Sequence, residues 1–304
     1  MRTLTERRRL ASGVLLVAVL VAGCTSDAPD AIATSTAMDS GEPGSDSGGP
    51  VASPVTSAGE VLTVVRVIDG DTIVVRLPSG VEESVRLLGI NAPEAGECLA
   101  DEAAEVLAEL LMNQRVRLEP DTTDRDEFGR LLRYVHAGST HVNAELVDSG
   151  LALSRAVPPD TQRQAELDAS EQDARDRDRG QWAPDACGPT SAAVVRIAMI
   201  EPDAPGDDNQ NPNGEWVVIE NPNARPIELA GWGMRDESAS HRYAFPSDFT
   251  LPAGARVRVR TGCGSDTATD LYWCAQGSAV WNNSGDTALL IDPSGNIVDD
   301  LSYG

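Results

Sequence analysis

Apolar positions along this chain fall into short β-branched runs, a few stretches at helical spacing, and one unbroken apolar segment near the start. Val61 to Ile68 and Thr72 to Leu77 are strand-like runs parted by Asp69-Gly70-Asp71. After the Pro78-Ser79-Gly80 turn, Val81 to Ile90 reads as a third strand. From Leu99 to Met112 the apolar residues Leu99, Ala103, Val106, Leu107 and Leu110 recur with acids between them, which predicts an amphipathic helix. Arg115 to Leu118 and Arg130 to His136 supply strands four and five, and Val142 to Asp148 and Gln162 to Arg179 have helical patterns. Five short strands with a helix after the third predict a small barrel of Greek-key strand order, packed by helices.

Beyond about residue 191 the helical period disappears. Trp216 to Ile219, Pro226 to Leu229, Ala255 to Arg260, Thr287 to Ile291 and Ile297-Val298 are strand-like. Turn clusters such as Pro212-Asn213-Gly214, Pro252-Ala253-Gly254 and Asp292 to Gly295 separate them, which predicts a β-sandwich. The fold class expected is therefore mainly β with some α, in two folded domains at residues 60–190 and 191–304.

The N-terminus reads as an address. Arg2, Arg7, Arg8 and Arg9 precede an apolar run, Gly13 to Val21, that is too short to span a bilayer comfortably. The run ends in Val21-Ala22-Gly23-Cys24, which resembles the lipobox of bacterial lipoproteins. Residues 1–23 are expected to be a signal peptide and Cys24 the lipidated residue. Residues 24–59, rich in Ser, Thr, Gly, Pro and Asp with no basic residue, are expected to be a disordered acidic tether. The folded part would then stand off the outer face of the cell membrane.

Composition narrows the classes further. All 24 basic residues are Arg, against 48 acids, for a formal net charge of −24. Such a balance argues against a protein that coats nucleic acid by electrostatics alone. A hydrophobic content of 41% argues against a wholly disordered chain. Beyond Cys24 the cysteines are Cys98, Cys187, Cys263 and Cys274, which allow three pairings. If each domain closes its own bridge, the pairs are Cys98–Cys187 and Cys263–Cys274. No two of these cysteines are two to four residues apart and only three His exist, so disulfides are expected rather than a zinc site.

Four blocks carry a resemblance. Val67 to Thr72 (Val-Ile-Asp-Gly-Asp-Thr), Val85 to Glu94 (Val-Arg-Leu-Leu-Gly-Ile-Asn-Ala-Pro-Glu), Asp126 to Arg130 and Val142 to Ala152 occur in that order. With the closing Arg179-Gly180-Gln181-Trp182, they resemble the staphylococcal nuclease (thermonuclease) family over about 130 residues. That resemblance implies an OB-fold five-stranded barrel with helices and a calcium-dependent, sugar-nonspecific hydrolysis of DNA and RNA that leaves 3′-phosphate ends. By resemblance Asp71 is the calcium-binding aspartate, with Asn91 and the backbone carbonyl of Ala92 completing the metal side. Asp69 stands behind it in support. Glu94 matches the carboxylate that serves the attacking water, and Arg86 and Arg130 match the arginines that grip the phosphate. The chemistry asks for these types: a hard cation wants oxygen donors, and a planar guanidinium fork suits a phosphoryl group.

Two departures bear on function. Asn91 stands where well-studied members have a second calcium aspartate, so one negative charge is lost and calcium affinity should fall. Glu127 and Phe128 replace a Lys-Tyr pair that helps hold nucleotide. Residues 60–190 hold 13 Arg and 26 acids, which predicts weak binding of long polymers with mild salt dependence. Two other classes fit the same residues: a catalytically weak or inactive nucleic-acid or cell-surface binding lipoprotein, and a small-nucleotide phosphodiesterase.

In the second half, Asn213 to Asn221, Leu229 to Trp232, Phe249 to Gly254 and Trp281 to Asp286 resemble the lamin-tail domain, an immunoglobulin-like β-sandwich. No catalytic set is visible there, and its partner is not readable from the sequence. Trp232 and Trp281 are expected in the core, Asp207-Asp208-Asn209 as a solvated loop, and Arg256, Arg258 and Arg260 paired with carboxylates. A monomer is expected.

Overall fold

In the computed structural model, residues 61–275 and 279–304 are described. The expected signal peptide, Cys24 and the expected acidic tether lie outside the described residues. Strands β1 (Val61–Val67), β2 (Thr72–Arg76) and β3 (Glu82–Leu87) form an antiparallel meander. In β1, Leu62 and Val64 are buried between exposed Val61 and Thr63, the alternation of a strand with one face on a core.

The expected third strand breaks at Leu88-Gly89. Gly89 has φ +72°, and a Cβ there would lie 2.4 Å from Leu167, so the chain turns on a residue only glycine can supply. Ile90–Asn91 therefore becomes a separate strand, β4, and this brings Asn91 back toward Arg86.

Helix α1 (Ala100–Leu111) follows, with Asp101 and Glu102 in its first turn, where the helix dipole favours acids. Its buried face is Ala100, Ala103, Leu107 and Leu111, a stripe at helical spacing. Then come β5 (Arg115–Glu119), β6 (Leu131–Ala137), β7 (Thr140–His141), α2 (Val142–Asp148), β8 (Leu153–Ser154) and α3 (Gln164–Asp176). The sheet order is β3-β2-β1-β5-β6-β7, and a parallel pairing of β3 with β6 closes the first five neighbours into a barrel. Strand β4 pairs with β8 outside it. Helix α3 is shorter than its sequence pattern predicts, because Asp178 takes a left-handed conformation at φ 48° and ends the helical run.

The second part is all strand apart from a short 3-10 turn at Pro212–Gly214. It comprises β9 (Arg196–Glu201), β10 (Trp216–Glu220), β11 (Ile227–Glu228), β12 (Gly233–Arg235) and β13 (Arg242–Ala244). Strands β14 (Thr250–Leu251), β15 (Arg256–Arg260), β16 (Asp270–Tyr272), β17 (Asp286–Ile291) and β18 (Ile297–Tyr303) complete it. One four-stranded sheet runs β16-β15-β10-β9, another runs β13-β12-β17-β18, and β11 pairs with β14. Val217, Ile219 and Val257 from the first sheet share a single core with Met234, Ala288 and Leu290 from the second. That is the architecture of a sandwich. Trp232 and Trp281 are in this core, at 3% and 2% exposure. Five of the strands, β9, β12, β13, β14 and β16, are absent from the sequence reading; four of them are only two or three residues long, too short to show an alternation.

Both disulfides are present, Cys98–Cys187 and Cys263–Cys274. Disulfides suit an extracytoplasmic compartment. No helix among the described residues is long and apolar enough to cross a membrane. The two parts touch through specific polar contacts. Arg175 pairs with Asp300 at 2.6 Å while its guanidinium stacks 3.7 Å from the Trp182 ring centre. Arg242 pairs with Glu97 at 2.5 Å, and Cys187 N–H donates to Asn296 Oδ1 at 2.8 Å.

Candidate active site

The site assembles at the end of the barrel where the β1–β2 turn meets β3, β4 and the start of β6. Asp71 N–H donates to Asp69 Oδ1 at 3.1 Å, which shapes the turn. Gly70 has to be small: a Cβ there would lie 2.6 Å from that of Ala92 and 2.8 Å from that of Ala103. The turn is thus pressed onto the segment after β4 and onto α1, and Asp71 points inward with 6% exposure. Asp71 Oδ2 accepts the Ala92 N–H at 3.0 Å, and Oδ1 accepts the Thr72 hydroxyl at 3.1 Å.

Arg86 lies on β3 directly opposite Thr72. Its Nη2 stands 2.9 Å from Asp71 Oδ2 and donates to Asn91 Oδ1 at 3.1 Å. Its Nη1 donates to the Leu87 and Ile90 carbonyls at 2.6 and 2.9 Å. Four oxygens from three segments therefore converge on one guanidinium. Burial raises the Asp71 carboxyl above its ordinary value, with the Arg86 charge opposing. Burial likewise lowers the Arg86 pKa, and the charges of Arg130 and Arg155 push the same way while Asp71 opposes.

Arg130 opens β6. Asp126 orients it by accepting its Nε–H at 2.6 Å and its backbone N–H at 2.9 Å. The Phe128 ring centre lies 5.5 Å from the Arg130 guanidinium and the ring is 76% exposed. Glu94 is exposed, and among the described residues its carboxylate has no hydrogen bond or ion pair. Its backbone N–H donates to Glu97 Oε2 at 3.0 Å.

The structure thus brings Asp69, Asp71, Arg86, Asn91 and Ala92 into direct contact. Arg130 joins them through its charge on Arg86. The donor set fits a hard divalent cation. Asp71 Oδ2 and Asn91 Oδ1 both face the one Arg86 nitrogen, so a cation is already the natural occupant of that point. Asn91 Nδ2 is buried with no partner, as an amide placed for its oxygen would leave it. Among the described residues no cluster of three His, Cys, Asp or Glu side chains could hold a metal, so backbone carbonyls, water or substrate would complete such a shell.

Sequence reasoning missed two participants. Arg155 follows β8, its N–H donating to the Gly89 carbonyl at 2.8 Å, and its side chain makes no ion pair or hydrogen bond among the described residues. A lone arginine after a two-residue strand carries no signal; only the β4–β8 pairing places it near Arg86. Arg242 comes from the sandwich and holds Glu97, three residues after Glu94. No local pattern announces a contact 145 residues apart.

The site is thus a set of buried oxygens and arginines gathered at one end of a closed small barrel. Residues 84–184 match the family model described as staphylococcal nuclease homologue, and residues 189–304 match the lamin tail domain. The chain is 35% identical over 130 residues to the thermonuclease of Staphylococcus intermedius, covering 41% of this chain and 77% of that protein. It is 32% identical over 142 residues to the thermonuclease of Staphylococcus hyicus, covering 43% and 83% respectively. With the micrococcal nuclease of Shigella flexneri it shares 34% over 132 residues, 40% of this chain and 72% of that one. The chain belongs to the staphylococcal nuclease family.

Proposed function

We propose that this protein is a surface-anchored, calcium-dependent nuclease that hydrolyses phosphodiester bonds of extracellular DNA and RNA and leaves 3′-phosphate ends. Residues 60–190 carry the chemistry and residues 191–304 form an accessory sandwich domain. A signal peptide at 1–23 directs export, and a lipid on Cys24 with a tether at 24–59 holds this pair outside the cell membrane as a monomer. The observation that carries the reading is the convergence of Asp71, Asn91 and Arg86 at one point, with Arg130 close enough to act on Arg86 electrostatically.

Asp71, Asn91 and the Ala92 carbonyl would hold calcium, with Asp69 supporting Asp71 through the turn. When bound, the ion supplies a Lewis acid that neutralises charge on a phosphoryl oxygen. Arg86 and Arg130 receive the remaining charge of the pentacoordinate transition state, a forked donor being matched to phosphate oxygens. Glu94, exposed and free of internal partners, is available to orient a water and take its proton. Phe128 offers a bare aromatic face beside Arg130, on which a nucleobase can stack. That face favours nucleic acid over a substrate without a base.

The test uses the full chain on single-stranded DNA, with added calcium and with a chelator, and Arg86→Ala as the contamination control. Calcium-dependent cleavage that disappears in the variant is expected. No cleavage by the folded protein at millimolar calcium would overturn the reading. Faster turnover of a dinucleotide ester than of long DNA would assign the site to small nucleotides instead.

A further inference from the structure

The second domain contains buried oxygen chemistry that its sandwich architecture does not use. The loop from 202 to 215 leads into β10, and Glu215 at its end is fully buried at 0% exposure. Glu215 Oε2 accepts the Val280 N–H at 3.1 Å, but Oε1 has no hydrogen-bond donor. Thr261 sits opposite, its N–H donating to the Glu215 carbonyl at 3.2 Å. It is 1% exposed, and its hydroxyl faces the Glu215 carboxylate closely enough to lower that group's pKa. From the same loop, Asp208 Oδ2 accepts Asn283 Nδ2 at 2.7 Å while Oδ1 is sealed and unpaired. Asn213 gives its Nδ2 to the Cys263 carbonyl at 3.0 Å and leaves its own Oδ1 sealed and unpaired.

Three side chains around this loop, Asp208, Asn213 and Glu215, thus keep a sealed oxygen without a hydrogen-bond donor, and two of them are carboxylates. Folded proteins pair nearly all such groups, because an orphaned buried acceptor forfeits its hydration without return. No arginine repays it here. Neither Asp208 nor Glu215 forms an ion pair among the described residues, and Arg260, which donates to the Asn213 carbonyl, is committed to Asp270. Oxygen-only donors without His or Cys are the preference of a hard cation.

We propose that Asp208, Asn213, Glu215 and Thr261 form a calcium site that staples the loop at 202–215 to the segment at 279–283 of the sandwich. The site is separate from the barrel and structural in role: it would fix loops, not substrate. A bound divalent ion supplies the positive partner that both carboxylates lack. The two segments already meet around it, since Asn209 Oδ1 accepts the Ala279 N–H at 3.0 Å.

The test takes the full chain, stripped of metal by a chelator, and titrates it with terbium, an oxygen-seeking ion whose emission tryptophan sensitises. Trp281 lies one residue beyond Val280, whose amide binds Glu215. Calcium-dependent melting is followed in parallel on wild type, Glu215→Gln, Asp208→Asn and Asp71→Asn. Sensitised emission displaced by calcium, and a calcium-raised melting temperature, are expected in wild type and Asp71→Asn. Both should weaken by at least about tenfold in ion concentration when either Glu215 or Asp208 loses its charge. Asp208 is itself half-buried on a largely exposed loop, so Asp208→Asn answers the question if Glu215→Gln fails to fold. Signals that survive in Asp208→Asn and Glu215→Gln but vanish in Asp71→Asn would move the ion to the barrel and overturn the proposal. So would a wild type that neither sensitises terbium nor responds to calcium.

Discussion

Arg242 of the sandwich grips Glu97 of the barrel part, Nε to Oε1 at 2.5 Å and Nη2 to Oε2 at 3.2 Å. Glu97 Oε2 in turn accepts the backbone N–H of Glu94 at 3.0 Å. The segment that carries the candidate water-orienting carboxylate is thus tied, through one shared oxygen, to the other half of the molecule. On the proposed function, this contact would give the second domain a positional part in the reaction.

Arg242→Ala should therefore lower kcat more than it raises KM, by about tenfold, because Glu94 loses its anchored backbone rather than its carboxylate. Steady-state kinetics on single-stranded DNA check this, and an unchanged kcat would sever the link. The same contact has a pH signature. Burial alone would raise the Glu97 carboxyl, but its hydrogen bonds from Arg242 and the Glu94 N–H outweigh this and hold it below its ordinary 4.5. A depressed carboxylate contributes stability that is complete above about pH 4.5 and is lost as pH falls through the folded value. Acid melting of Arg242→Ala should accordingly be less steep than that of wild type.

The Cys98–Cys187 bridge fixes the same segment from its other side, closing a separation of 89 residues. A loop that long implies about 4 kcal/mol of stabilisation by restriction of the unfolded chain. Cys98→Ser with Cys187→Ser should cost about that much in denaturant unfolding and also depress kcat, since Cys98 is four residues after Glu94. Stability lost with kcat intact would show that Glu94 is positioned by Arg242 alone.

Asn91→Asp should lower the calcium concentration for half-maximal activity, by about tenfold. The new carboxylate would also draw Arg86 closer, since Asn91 Oδ1 already accepts from it at 3.1 Å. A dication nevertheless gains about twice the Coulomb energy of a guanidinium from the same added charge, so the ion gains more. Activity measured across a calcium series checks this. An unmoved half-saturation would mean that the ion does not use residue 91.

Much of the barrel and its site was legible because the signals are local. β-branched runs flanked the Asp69-Gly70-Asp71 turn, the α1 stripe repeated at helical spacing, and Asp71, Arg86, Glu94 and Arg130 fell within recognisable blocks. What the sequence could not show depends on distant pairings. The break at Gly89 was hidden inside a continuous apolar run, yet it alone carries Asn91 onto Arg86. Arg155 reaches the site only through the pairing of β4 with β8. In the sandwich, Asp207-Asp208-Asn209 read as a solvated loop, and this fails for Asp208. Its Oδ1 is sealed by packing against the segment around Asn283, some 75 residues further along. The arginines of β15 were read correctly: Arg256 pairs with Glu220 at 3.0 Å and Arg260 with Asp270 at 2.8 Å. Alternation on a strand face is itself a local signal.

Where the two parts face one another, acids outnumber their partners, and this sets a pH limit on stability. Burial pushes the Glu237 carboxyl up to about 8, and the charges of Asp286, Glu171 and Asp236 push in the same direction. Asp286 is raised to about 6, again chiefly by burial. An acid whose folded pKa exceeds its unfolded value binds its proton more tightly when folded. Its contribution is therefore complete below the unfolded value near 4.5 and is lost as pH rises toward the folded one. Wild-type stability should fall between about pH 5 and pH 8, first as Asp286 ionises and then as Glu237 does. Glu237→Gln cannot ionise, so its melting temperature should match wild type near the acid end of that window and exceed it near the basic end. Thermal melts of both proteins across the window check this. Curves that stay parallel would mean that Glu237 is ionised throughout, with a cation or Arg155, which lines the same cavity, meeting its charge.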